Sequence, residues 1–355
     1  MNPVLSPPNK QDLLQVRDLR VRYQVNDSTG FWPKTRQLEA VKGIGFDLYA
    51  GETLGIVGES GCGKSSLAKA LIGLIPSESS QLQWLGQDLT HTPIGRWGSV
   101  RRDVQMVFQD PQASLNPRMT LAAIISEPLV EHTDWTAERR LERVYELMDA
   151  VGLNRAFANR FPHEFSGGQR QRIGIARALA LNPKFIVCDE PIAALDVSIQ
   201  AQVVNLLEDL QAKLGLTYLF ISHDLSMVRH IADRVAVMYL GRIAELSPRD
   251  ELYAKPLHPY AEALLSAVNE PDPNRARRER IILKGDVPSP ANPPKGCSFS
   301  TRCPKVFAPC RITRPNLTQV EPGRFVACHL FTQNTDAGPT GAPEAIELNQ
   351  QGETT

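Results

Sequence analysis

The sequence predicts an α/β fold, a parallel sheet with helices on both faces, extended by an antiparallel β subdomain, a helical subdomain and a small Cys-rich C-terminal module. Three observations carry this prediction. First, an apolar strand, Thr53-Leu-Gly-Ile-Val57, runs into a glycine-rich turn and then into a stretch with apolar residues at helical spacing, Ser66 to Ile75. Second, short apolar runs alternate with helical patterns: Phe185-Ile-Val-Cys188, helix Ile199 to Leu214, Thr217 to Ile221, helix Leu225 to Ile231, then Arg234 to Met238. Fully apolar strands of this kind are buried on both faces, as in parallel sheets. Third, Thr120 to Ala158 shows helical periodicity, with Leu141, Val144, Leu147 and Met148 three or four residues apart, and contains no strand pattern.

Taken in order, Leu14 to Tyr23 alternates as an edge strand and Ala40 to Leu48 supplies its antiparallel companion, with a polar loop from Asn26 to Arg36 that carries Phe31 and Trp32. After the glycine-rich turn come strands near Gln81 to Trp84 and Val104 to Phe108, the helical insert, and a helix through Ile173, Ala176 and Leu179. Proline and charge between Pro271 and Gly296 predict a linker, and the polar, acidic stretch beyond Phe331 predicts a disordered tail. The expected organisation is therefore a main domain over 12–255 with its helical insert at about 112–165, an extension over 256–331, and a tail over 332–355.

A chain of 355 residues buries a sizeable core and suits two domains. Its formal net charge is zero and its pI about 7.1, so it lacks the basic footprint of nucleic-acid binding. The densest cationic run, Arg275-Ala-Arg-Arg-Glu-Arg280, sits beside prolines and reads as a solvated linker. No apolar stretch approaches the ~20 residues that span a bilayer, and Met1-Asn-Pro-Val-Leu-Ser-Pro-Pro lacks the apolar core of a secretion signal. The chain reads as soluble and cytosolic, with membrane contact through a partner.

The chemistry lies in a few motifs. Gly58-Glu-Ser-Gly-Cys-Gly-Lys-Ser65 matches G-x-x-x-x-G-K-[ST], a loop whose backbone N–H groups wrap phosphates at the positive end of a helix. The candidate nucleotide contacts are Gly58, Glu59, Ser60, Gly61, Cys62, Gly63, Lys64, Ser65 and Ser66, with Lys64 reaching the β and γ phosphates and Ser65 holding magnesium. Strand Phe185 to Cys188 ends in Asp189 and Glu190. Asp189 suits magnesium held through water, and Glu190 is placed to polarise the attacking water. Ser166-Gly167-Gly168-Gln169, after Phe165, opens a helix and forms a second γ-phosphate clamp, serving a nucleotide bound to another subunit. Gln109, after strand Val104 to Phe108, is a candidate sensor of magnesium and the attacking water, and His223 a candidate γ-phosphate donor. Taken singly, either would read as an ordinary polar residue at a strand end, and their order beside the other motifs is what raises them. A phosphate loop alone leaves the function open among kinases, GTPases, motors and transport ATPases.

Gly58 to Ser65, Gln109, Ser166 to Gln169, Asp189-Glu190, Asp196 and His223 together closely resemble the nucleotide-binding subunit of ABC transporters over residues 12 to 250. The resemblance implies a P-loop ABC ATPase using ATP and Mg2+. It implies that Tyr23 stacks on adenine, that Gln109 lies in the loop linking hydrolysis to the membrane subunits, that Ser166 to Gln169 is the signature, and that two cassettes sandwich two ATP molecules. The departures are small: Phe165 stands where leucine is commonest, and Ala193-Ala-Leu precedes Asp196 where serine-alanine-leucine is frequent. Beyond residue 250, Pro256-Leu-His-Pro-Tyr260, Pro288-Ser-Pro-Ala-Asn-Pro-Pro294, Gly296-Cys297 and Arg302-Cys-Pro304 resemble the extension of ATPases that energise oligopeptide and dipeptide importers, specifically the second, F-type ATPase. Phe108 to Pro117 resembles the same subfamily.

The implied partners are a second ABC ATPase subunit forming a heterodimer, two transmembrane permease subunits and a periplasmic peptide-binding protein, at the cytoplasmic side of the bacterial inner membrane. Nickel and glutathione importers share the extension and remain alternatives for the cargo. More distant alternatives are a cassette serving translation or DNA repair and a redox-sensing regulator.

Cys297, Cys303, Cys310 and Cys328 crowd one stretch, which in a reducing cytosol argues for metal before disulfides. Their spacing lacks the tight pair of structural zinc sites, so the expectation is a four-iron, four-sulfur (4Fe-4S) cluster, as the resemblance also implies, with zinc or unmetallated thiols as alternatives. Cys62, at a helix N-terminus, reads either as a reactive thiol or as a small filler.

Overall fold

The computed structural model describes residues 11–27, 34–193, 195–268 and 280–332. Twelve strands are found among these residues. They are β1 (Asp12–Asp27), β2 (Lys34–Tyr49), β3 (Thr53–Val57), β4 (Gln81–Trp84), β5 (Gln87–Asp88), β6 (Val104–Val107), β7 (Phe185–Asp189), β8 (Thr217–Ile221), β9 (Arg234–Tyr239), β10 (Arg242–Pro248), β11 (Thr318–Glu321) and β12 (Arg324–Val326). The first sheet is antiparallel, in the order β2-β1-β4-β5. The second runs β11-β12-β10-β9-β3-β8-β7-β6 and is parallel from β9 to β6.

Strands β3, β7 and β8 are buried at every residue, as their continuous apolar runs predict. Successive side chains point to opposite faces. Ile186, Cys188, Tyr218 and Phe220 therefore join one core with the helical insert, while Phe185, Val187, Leu219 and Ile221 join a second core with the first sheet. The insert folds as helices Leu121–His132 and Ala137–Ala150, each started by a threonine whose side chain accepts a first-turn N–H, Thr120 from Ala123 and Thr136 from Arg139.

Several local expectations shift. β1 runs on to Asp27 and β2 begins at Lys34, so the expected polar loop narrows to residues that include Phe31 and Trp32 and lie outside the described ones. The helix after the glycine-rich turn spans Lys64–Leu71 rather than reaching Ile75, because Gly73 turns the chain at a φ of +71°. Residues 280–296 carry neither helix nor strand, whereas the rest of the expected linker and the tail from 333 lie outside the described residues.

The extension differs most from expectation, because it is not a module of its own. β12 pairs with β10 and β11 with β12, so the stretch after residue 300 completes the main sheet. Buried Glu245 on β10 anchors it, accepting the Leu257 and His258 amides at 2.9 and 2.7 Å and the Ser247 hydroxyl at 3.1 Å.

The iron–sulfur expectation is corrected here. Among the described residues no group of three or more His, Cys, Asp or Glu side chains is placed to hold a metal ion. Cys297, Cys303, Cys310 and Cys328 are free thiols. Burial, and then the neighbouring cysteines, push the Cys303 thiol up to about 11 and the Cys328 thiol up to about 12.

Candidate active site

Four functional segments follow the carboxyl ends of four adjacent parallel strands: the phosphate loop after β3, Gln109 after β6, Asp189 and Glu190 at the end of β7, and His223 after β8. Open α/β sheets form their ligand crevices at such ends.

The loop depends on its glycines. Gly58 has a φ of +155°, and a Cβ there would lie 2.2 Å from the Met238 carbonyl oxygen; Gly63, at +105°, would meet the Ala40 oxygen at 2.4 Å. Any side chain at either position would push the loop off β9 or β2. Lys64 is buried within the loop, where its Nζ donates to the Gly58 oxygen at 2.8 Å and the Glu59 oxygen at 3.1 Å. The helix Lys64–Leu71 starts there, so its unpaired N–H groups face into the loop. Cys62 is buried and its thiol is pushed up by burial, which leaves it the small filler rather than the reactive thiol.

Ser65 Oγ donates to Asp189 Oδ1 at 2.9 Å. Burial raises the Asp189 carboxyl above its ordinary value, and the neighbouring Glu190 adds to that. A hydroxyl and a carboxylate oxygen are hard donors, and a carboxylate strained by burial and a like charge is stabilised by a cation, so the pair fits a magnesium ion.

Glu190 adopts a φ of +45°, a left-handed conformation uncommon outside glycine, and its amide donates to the Ile221 oxygen at 2.9 Å. This turn aims its carboxylate between two partners from neighbouring strands: Gln109 Nε2 donates to Oε2 at 2.9 Å, and His223 Nδ1 lies 3.5 Å from the same oxygen. Three residues separated widely in sequence thus meet at one atom. A cleft of about 690 Å³ opens beside them, lined by Ser65, Gln109 and Asp189 on one side and Glu127 and Arg177 of the helical layer on the other.

Tyr23 is part-exposed on β1, with its hydroxyl donating to Ser66 Oγ at 3.1 Å, so its ring stands beside the helix that opens the loop. Ser166 to Gln169 do not join this cluster. They start helix Gly167–Leu179 with a capping box in which Ser166 Oγ accepts the Gln169 amide and Gln169 Oε1 accepts the Ser166 amide at 3.0 Å. Ser166 and Gly167 are exposed.

Two contacts were not foreseen. Arg302 grips the Glu59 carboxylate, and Tyr260 OH accepts the Glu59 amide at 3.0 Å. Both residues stand in motifs visible in the sequence, yet a partner more than 200 positions away leaves no local periodicity to find.

This arrangement of loop, paired acids, glutamine and histidine on a parallel sheet beside an antiparallel one defines an ATP-binding cassette. The model of the ABC transporter family matches residues 41–193, and that of the oligopeptide/dipeptide transporter C-terminal region matches residues 244–310. The oligopeptide transport ATP-binding protein AppF of Bacillus subtilis is 53% identical over 92% of this chain and 100% of its own length. OppF of Escherichia coli, of the same description, is 54% identical over 86% of this chain and 92% of its own. A dimeric ATP-binding cassette solved in a post-hydrolysis state with ADP and Pi superposes with a TM-score of 0.59 at 27% identity, covering 67% of this chain and 99% of that one. The chain belongs to the oligopeptide transport ATP-binding proteins of ABC transporters.

Proposed function

We propose that this chain is the ATP-hydrolysing subunit of an importer for oligopeptides or dipeptides, held peripherally on the cytoplasmic face of the bacterial inner membrane. Among the described residues no helix is long and apolar enough to cross a membrane, in keeping with attachment through permease subunits. The observation that carries the reading is the convergence of Gln109 and His223 on one oxygen of Glu190 beside the Ser65–Asp189 pair, in a chain whose extension matches the oligopeptide/dipeptide transporter region.

In this reading Tyr23 stacks on adenine and Gly58 to Ser66 cradle the phosphates, with Lys64 exchanging its carbonyl partners for β- and γ-phosphate oxygens. Ser65 and Asp189 are the residues to hold magnesium, which when bound neutralises phosphate charge. Glu190, oriented by Gln109 and His223, accepts a proton from a water whose oxygen attacks the γ-phosphorus. The bond from that phosphorus to the β-phosphate oxygen breaks, and ADP leaves with the electron pair. Ser166 to Gln169, exposed at a helix N-terminus, close over the nucleotide of a second ABC ATPase subunit. The two form a heterodimer whose closing acts through the Gln109 segment and the helical insert on two permeases, which receive peptide from a periplasmic binding protein.

Glu190→Gln tests this reading. It keeps a hydrogen-bonding side chain but cannot take the proton, so turnover should fall by about 10²–10⁴ while MgATP still binds and traps a closed dimer. Cells relying on this variant should lose uptake of a labelled tripeptide. Unchanged turnover would remove Glu190 from its role, and unchanged uptake beside a wild-type control would remove the peptide assignment.

A further inference from the structure

Glu59 poses an electrostatic problem. Its carboxylate sits at the second position of a loop read here as the cradle of a polyphosphate, where a negative charge repels the ligand. The extension answers it at two points. Arg302 Nη1 donates to Glu59 Oε2 at 2.8 Å and to Oε1 at 3.0 Å, and its side chain is only 9% exposed. Tyr260, fully buried, uses its hydroxyl to accept the Glu59 backbone N–H at 3.0 Å.

The platform behind these two groups is a cluster of packed aromatic rings. The rings of Tyr260 and Phe299 lie 5.3 Å apart, and both pack on Tyr239 at the end of β9, at 4.6 and 5.3 Å. The Tyr239 hydroxyl also accepts from Arg302 at 3.5 Å. Arg302 Nε is buried without a hydrogen-bond partner, so the interior position of this guanidinium is not explained by complete local satisfaction.

We propose that Arg302 and Tyr260 are positioning residues for the phosphate loop: the C-terminal extension neutralises the Glu59 carboxylate and fixes the Glu59 amide, and thereby sets the affinity of the loop for a nucleotide triphosphate. The proposal rests on the reading of Gly58 to Ser65 as the phosphate cradle. It gives the extension a role inside the ATP site, separate from its completion of the sheet.

The test is a charge-rescue cycle on the full chain. Equilibrium binding of a fluorescent N-methylanthraniloyl ATP with Mg2+ is measured for wild type, Arg302→Ala, Glu59→Gln and the double variant, each checked for folding by circular dichroism. Arg302→Ala should raise Kd about tenfold, and more at low salt, because an uncompensated carboxylate then faces the phosphates. Adding Glu59→Gln should bring Kd back to within about threefold of wild type, which no loss of packing would do. If Arg302→Ala does not fold, Arg302→Lys supplies the same comparison, with a smaller loss and rescue by the same second change, since lysine keeps the charge without the fork. Tyr260→Phe should raise Kd at an unchanged melting temperature.

A double variant as weak as Arg302→Ala, or Arg302→Ala binding as wild type does, overturns the proposal. Lys64→Ala is the control for the underlying reading. If it binds as tightly as wild type, the loop is not the phosphate cradle, whatever the Arg302 variants do.

Discussion

His258 should make the extension acid-sensitive. It caps helix Pro259–Ser266 with Nδ1 accepting the Tyr260 amide at 3.0 Å, a contact that requires the neutral imidazole. The ring is buried against Phe299, and burial pulls it down from 6.5 to about 4. In the unfolded chain it takes a proton near pH 6.5, whereas the folded chain resists until near pH 4. Its contribution is therefore complete above pH 6.5 and is lost as pH falls toward 4, reaching about 3 kcal/mol at the end of that window. Buried Glu245, whose carboxyl is raised by burial, acts in the opposite direction, since the folded state protonates it more readily than the unfolded one. A comparison that leaves Glu245 in place is therefore needed. His258→Asn keeps a good cap and removes the titration. Thermal unfolding of wild type and His258→Asn at pH 7.5, 6.0 and 5.0 should show the wild-type advantage shrinking steadily with acid. Each kcal/mol moves the midpoint of a chain this large by roughly two degrees, so the change is readily measured. An advantage that stays constant across the three pH values would refute the assignment of a buried neutral ring.

Two further outcomes are expected. In Gly168→Ala the new Cβ would meet Ile199 Cγ2 at 2.5 Å, so either Ile199 or helix Gly167–Leu179 must shift, and ATP turnover should fall at least tenfold in a protein that still folds. Ile199→Ala in the same chain should restore most of the turnover, and failure to do so would place the defect elsewhere. Ser65→Ala removes the hydroxyl paired with Asp189 and should raise the Mg2+ concentration for half-maximal ATP hydrolysis about tenfold, whereas an unchanged magnesium titration would take Ser65 out of the metal's reach.

Much of the candidate site is legible in the sequence because each of its parts is local. A glycine pattern before a helix and two acids ending an apolar strand each carry their chemistry in a few consecutive residues. The shared carboxylate oxygen of Glu190 is not local. Gln109 and His223 reach it only because β6, β7 and β8 lie side by side, and the left-handed turn at Glu190 that aims it leaves no mark in composition. The four cysteines show the opposite failure. Their crowding in the sequence reads as a ligand set, but among the described residues no group of three or more His, Cys, Asp or Glu side chains is placed to hold a metal ion.

By itself the sequence determined the parallel sheet, the helical insert and the phosphate loop, because hydrophobic period and glycine spacing are properties of neighbouring residues. It could not show the sheet continuing past β9. β10 carries a buried glutamate, and β12 and β11 are short strands whose stability comes from pairing with one another and with β10. Only the tertiary structure decided that the extension folds back to finish that sheet and lays Arg302 and Tyr260 against Glu59. Contacts across such distances are selected by the burial of two surfaces that exist only once both have folded.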